Sequence, residues 1–185
     1  MTQSRSRNPV LNSKERPKTR RHRGKFDPTR LNGALVISDE ARLALERCLL
    51  FQGLERNELM AVAALVEETA VEVNEMLLTE GDTARYLYIV IEGQGAAQVK
   101  TERGWLSLGL VGPGEAAGWS SLMGGSVVYP ASVKALTDMK VARIETSGLK
   151  LLMNVDPKIG YPVLKSVSAI FYLQYEAALT AAKTA

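Results

Sequence analysis

Apolar positions first recur at helical spacing. In "SDEARLALERCLLF", Leu43, Leu45, Leu49 and Leu50 make a roughly helical apolar face behind Ser38 and Asp39, both good N-cap residues. "ERNELMAVAALV" repeats the pattern with Leu59, Val62, Ala63 and Val66. From Glu68 the period drops to two, and "ETAVEVN" alternates apolar and polar as a half-buried strand does. "NEMLLTEGDTARYLYIVIEGQGAAQVK" and "GWLSLGLVGPGE" continue as short strand-type runs, broken at Glu80-Gly81-Asp82, Glu92-Gly93 and Gly104. "ASVKAL" and "KVARIE" add two more. Strands about ten residues apart, with turn signals between them, predict a β-sandwich or jelly roll. Helical spacing returns at Asp156-Pro157, an N-cap followed by proline at N1. There Ile159, Val163, Val167, Ile170 and Phe171 form a stripe, and Tyr161, Tyr172 and Tyr175 add aromatic surface. Pro162 lacks an amide hydrogen, which predicts a kink in this helix or a start later than Asp156.

Charge divides the chain in two. The whole carries a formal net charge of +3, but residues 1–30 hold ten Lys or Arg against Glu15 and Asp27, a net +8. The remainder has thirteen cations against eighteen acids, a net −5. The basic segment is poor in apolar residues and cannot offset its ordering entropy by burial, so residues 1–34 are expected to be a disordered arm. Two readings of it stand: a solubilising tail, or a tether in which Arg16, Lys18, Arg20, Arg21, Arg23 and Lys25 meet nucleic acid or another polyanion. The arm shows no amphipathic stripe, which weakens a membrane-surface role. Residues 35–155 are then the helices plus the strand region, and residues 156–185 the C-terminal helix.

Residue counts exclude several kinds of chemistry. Cys48 is the sole cysteine, so no intrachain disulfide forms, and on an apolar helix it reads as a small buried hydrophobe. His22, the sole histidine, lies in the arm. That leaves no His cluster for a metal, no cysteine set for an iron–sulfur cluster and no His in the body for nucleophilic catalysis. No metal or cofactor is expected, and no catalytic constellation is visible. No apolar run reaches the roughly 18 residues of a membrane span, and no secretory signal precedes the arm. A cytoplasmic, non-enzymatic protein is the expectation.

The stretch "GPGEAAGWSSLMGGSVVYPASV" (Gly112 to Val133) carries the remaining chemistry. It opens as a glycine turn with an acid and small residues, as a phosphate cradle does, yet no arginine occurs between Arg103 and Arg143. "GPGEAAGWSSL" is similar to the start of the phosphate-binding cassette of cyclic nucleotide-binding domains of the catabolite-activator type. "LLFQGLERNELMAVAALVEE" looks like that family's opening helices, "EGDTARYLYIVIEGQGAAQV" its central turn and strand, and "VDPKIGYPVL" the start of its closing helix. The resemblance covers about Ser38 to Tyr175. It implies an α+β fold, an antiparallel β-roll or jelly roll flanked by N-terminal helices and a C-terminal helix.

In that family a short helix starting at a Gly-Glu pair points its amides at the cyclic phosphate. The resemblance thus implies Gly114, Ala116 and Ala117 as amide donors and Glu115 as the ribose ligand. The arginine does not carry over: Tyr129 stands in its place, followed by Pro130, which has no amide to donate. A buried phosphate without its cation loses roughly 3–5 kcal/mol, or about two to four decades of affinity. Loss of tight cyclic AMP or cyclic GMP binding is therefore expected. Trp119, Ser120, Tyr129 and Ser132 remain pocket candidates, with core packing or turn capping as the plainer role of Trp119 and Ser120.

The expectation is a non-catalytic regulatory or scaffolding module acting through a protein partner. Homodimerisation is expected through the closing helix, with Ile159, Val163, Val167, Ile170 and Phe171 as the seam. The alternative is a sensor of a small ligand or nucleotide, with a modified pocket that signals through that helix. A transcription activator of the full type fits poorly, because about ten residues follow Tyr175 where a helix-turn-helix would stand.

Overall fold

The structure, a computed structural model, describes residues 37–123 and 128–184. The arm candidates Arg16, Lys18, Arg20, Arg21, Arg23 and Lys25 lie outside the described residues.

Helix α1, Asp39–Arg47, starts where Ser38 predicts, with the Ala41 amide donating to Ser38 Oγ at 3.1 Å. Its buried face is Ala41, Ala44 and Leu45, followed by Cys48. Leu43 and Leu49 of the expected face point to solvent instead: Leu43 lies off the Ala41–Ala44–Leu45 face of α1, and Leu49 opens a 3₁₀ turn, Leu49–Phe51, that changes the rotation per residue. Helix α2, Arg56–Ala63, opens on a capping box between Glu55 and Glu58.

The strands are β1 Val66–Val71, β2 Met76–Leu78, β3 Tyr86–Glu92, β4 Gly95–Thr101, β5 Gly104–Val111, β6 Ala116–Ala117, β7 Ser132–Ala135 and β8 Met139–Glu145. They form two four-stranded sheets, ordered β1-β8-β3-β6 and β2-β7-β4-β5, with antiparallel pairings throughout. Alternation along each strand makes two cores. Leu87, Ile89, Ala142 and Ile144 face the helices. Val90, Val141 and Met139 face Leu77, Leu78, Val133 and Ala135 of the other sheet. The antiparallel roll with flanking helices is the α+β architecture the sequence implied.

Two helices close the chain. Helix α3, Thr146–Val155, was not legible as a separate element. Helix α4, Pro157–Thr184, begins at proline, with the Lys158 amide donating to Asp156 Oδ1 at 3.0 Å. Pro162 does not delay its start; it sits within the first two turns, near Gly53. A Cβ on Gly160 would lie 2.4 Å from the Met153 carbonyl oxygen, so that glycine permits the tight α3–α4 corner. Ile159, Val163 and Val167 are buried in the helix-side core of the same chain. They therefore cannot be the seam expected of them: at 1%, 0% and 3% exposure they have no surface left for a second copy. Ile170 is partly buried against that core and Phe171 is exposed.

Candidate functional site

The turn Gly112–Glu115 joins β5 to β6. The Glu115 amide donates to the Gly112 carbonyl at 2.9 Å, and the Gly112 amide donates to Glu115 Oε2 at 2.8 Å. The Gly114 amide donates to the Val90 carbonyl at 2.8 Å, and the Val90 amide to the Glu115 carbonyl at 3.0 Å. Backbone partners thus already use the Gly114 and Glu115 amides, and Glu115's exposed carboxylate caps its own turn. Ala116 and Ala117 continue as β6, opposite Ile89 and Tyr88. The ligand-facing helix expected at Gly114 is not there, because the chain first completes a sheet edge. Gly114, Glu115, Ala116 and Ala117 are accordingly the turn and strand that lead to a short helix.

The short helix comes later, at Trp119–Leu122, preceded by Gly118 at φ 77°. The pair at its start is therefore Gly118-Trp119, with an indole where the resemblance implied an acid. Trp119 packs against the helix-side core and not between the sheets, so it does not line the roll. Ser120 gives its carbonyl to the Met123 amide at 3.1 Å. Ser121 is buried and its Oγ accepts from Thr146 Oγ1 at 3.1 Å, tying the short helix to α3. Ser132 is also buried, and its Oγ accepts the Glu80 amide at 2.9 Å. These hydroxyls anchor loops.

Tyr129 is 5% exposed and packs between the sheets with Leu77, Leu78, Val90, Ala117 and Val133. Its hydroxyl donates to the Tyr86 carbonyl at 2.8 Å and accepts from the Tyr86 amide at 3.0 Å. Its backbone is held as well: the Tyr129 amide donates to the Asp82 carbonyl, and the Gly81 amide to the Tyr129 carbonyl, both at 2.9 Å. Burial raises the Tyr129 phenol, and that of Tyr88, above the ordinary range, so both stay neutral donors near physiological pH. Beside Tyr129 lies a cleft of about 230 Å³ lined by Leu78, Thr79, Asp82, Thr83, Tyr86 and Tyr88 among others. That is below the roughly 300–1,000 Å³ of ordinary small-molecule pockets.

Two cations lie by this cleft, and one of them, Arg85, is part of its lining. Arg143 lies with its guanidinium 4.6 Å from the centre of the Tyr86 ring and pairs with Glu67 at 2.6 Å. Exposed Arg85 sits 5.8 Å from the same ring. Lys134 lies between Val133 and Ala135, both buried in the intersheet core, so alternation turns it to the outer face. Sequence reasoning missed the Tyr86–Tyr88–Arg143 group. Its signal was present: Tyr86 and Tyr88 alternate with buried Leu87 and Ile89, and Arg143 stands between buried Ala142 and Ile144.

Residues 68–156 match the cyclic nucleotide-binding domain family. Among solved structures, the N-terminal domain of a transcriptional regulator from Streptomyces coelicolor A3(2) is 27% identical, with a TM-score of 0.62, covering 73% of this chain and 94% of that one. A cyclic nucleotide-binding domain from Methylobacillus flagellatus KT is 25% identical, with a TM-score of 0.63, covering 76% and 82%. The regulatory domain of Toxoplasma gondii PKA, solved with cAMP, shares the fold at 23% identity and a TM-score of 0.58, over 61% of this chain and 43% of that one. No curated protein matches the chain.

Proposed function

Given that residues 68–156 belong to the cyclic nucleotide-binding domain family, we propose that the chain is a non-catalytic regulatory module of that family that does not hold cyclic AMP or cyclic GMP at cellular concentrations and acts through a protein partner. The observation that carries this reading is Tyr129. A buried, neutral phenol, its hydroxyl hydrogen-bonded to both backbone groups of Tyr86, stands where the resemblance puts the phosphate's arginine. Gly118-Trp119 at the head of the short helix adds that no carboxylate stands there for a ribose. At the Tyr129 position a cyclic phosphate would meet a neutral phenol in place of a compensating charge.

Calorimetry with cyclic AMP and cyclic GMP tests the reading. The expected dissociation constants are weaker than about 1 mM, and binding near about 10 μM overturns it. The proposed partner surface is the distal half of α4, where residues 171–180 are exposed without interruption and Phe171, Tyr172, Leu173 and Tyr175 are among them. A second copy of the chain is the proposed occupant.

A further inference from the structure

We infer that Tyr129 is an internal ligand of its own roll: the side chain fills the intersheet space at the cassette and spends there the binding capacity that a small molecule would use. This deepens the functional reading above and makes a separate claim, namely that the roll contains a site shaped for a phenol ring and that the chain itself supplies the phenol. Both surfaces of the site are fitted to it. A Cβ on Gly118 would lie 3.0 Å from the Tyr129 ring and 2.9 Å from the Tyr86 carbonyl oxygen, so only glycine, at φ 77°, lets the ring seat there. Leu78 from one sheet and Ala117 from the other close around it. At the far end the hydroxyl meets a donor and an acceptor from a single residue, Tyr86. The Tyr129 amide and carbonyl are both bonded to the Gly81-Asp82 turn, which fixes the point from which the ring enters the site. Apolar walls with a few convergent polar groups at one end are the make-up of a ligand pocket. The occupant is covalently attached, so no concentration of free ligand is needed to fill the site, and the roll keeps one arrangement whether or not metabolites are present.

The test removes the ring and offers it back. Tyr129→Ala should melt below the wild type, and added 4-methylphenol, the side chain as a free molecule, should raise its melting temperature while leaving the wild type unmoved. Toluene, which lacks the hydroxyl, should stabilise it less. A folded Tyr129→Ala chain that 4-methylphenol does not stabilise overturns the inference. If that variant does not fold, Tyr129→Phe decides through amide exchange. The Tyr86 amide, which donates to the missing hydroxyl, should exchange about tenfold or more faster relative to Leu87, and an unchanged ratio overturns the inference. Cyclic nucleotide binding by the wild type is read separately: it would sink the functional reading, whereas the phenol and exchange results judge the internal ligand.

Discussion

Glu68 ties the start of α1 to the roll. Its Oε1 accepts the Ser38 amide at 2.6 Å, and its Oε2 accepts the Ser38 hydroxyl and Lys140 Nζ, both at 3.0 Å. Ser38 meanwhile caps α1, so one serine joins helix to strand. Burial pushes the Glu68 carboxyl up, but the Ser38 amide, Lys140 and the Ser38 hydroxyl together hold it below the ordinary value of 4.5. A depressed folded-state value means that the stabilisation is present above the unfolded value and is lost as pH falls through the folded one. Stability should therefore decline below about pH 4.5, and Glu68→Gln should flatten that acid limb while lowering stability at neutral pH. Ser38→Ala should cost about 1 kcal/mol through the lost cap alone. Urea unfolding across the acid range checks both. A Glu68→Gln protein with the wild-type acid profile would show that the carboxylate's contacts do not persist in solution.

At the scale of elements, α4 is two helices in one. Its first turns bury Ile159, Val163 and Val167 against the chain's own core, whereas residues 171–180 touch nothing that buries them. The distal part continues the same helix without interruption, and its exposed face is the surface proposed for a second copy. Ending the chain after Ile170 should change stability by less than about 0.5 kcal/mol yet abolish self-association, as measured by sedimentation. Phe171→Glu with Tyr175→Glu should do the same in the untruncated chain. A truncated chain that still dimerises would move the interface off α4. The sequence disclosed this helix and its stripe, because a 3.6-residue period marks which side chains share a face. The period carries no information on whether a chain's own strands or a second copy covers that face. Ile159, Val163 and Val167 thus fit a seam by spacing alone, and the fold makes them core.

At the scale of the molecule, the opposed charges of arm and body suggest a division of labour: a +8 segment at 1–30 and a net-acidic remainder. We propose that the arm recruits a polyanionic partner while the roll and α4 set assembly. Deleting residues 1–30 should leave the melting temperature of the remaining chain within a few degrees (roughly the effect of losing surface charge). It should also remove binding to a nucleic acid probe whose affinity falls steeply with salt. Undiminished probe binding by the deleted protein would refute the tether.

By itself the sequence determined the succession of elements. Alternation from Glu68 onward, turn residues at Gly81 and Gly93, and caps at Ser38 and Asp156 are local preferences that a chain expresses wherever it folds. It also determined that no arginine lies between Arg103 and Arg143. The tertiary structure alone decided what became of the stretch from Gly112 to Val133. It placed the short helix after Gly118, sent Trp119 to the helix-side core, and joined the Tyr129 hydroxyl to Tyr86, 43 residues away in the chain. Such pairings depend on which elements the fold brings together, and spacing along a single segment does not encode them.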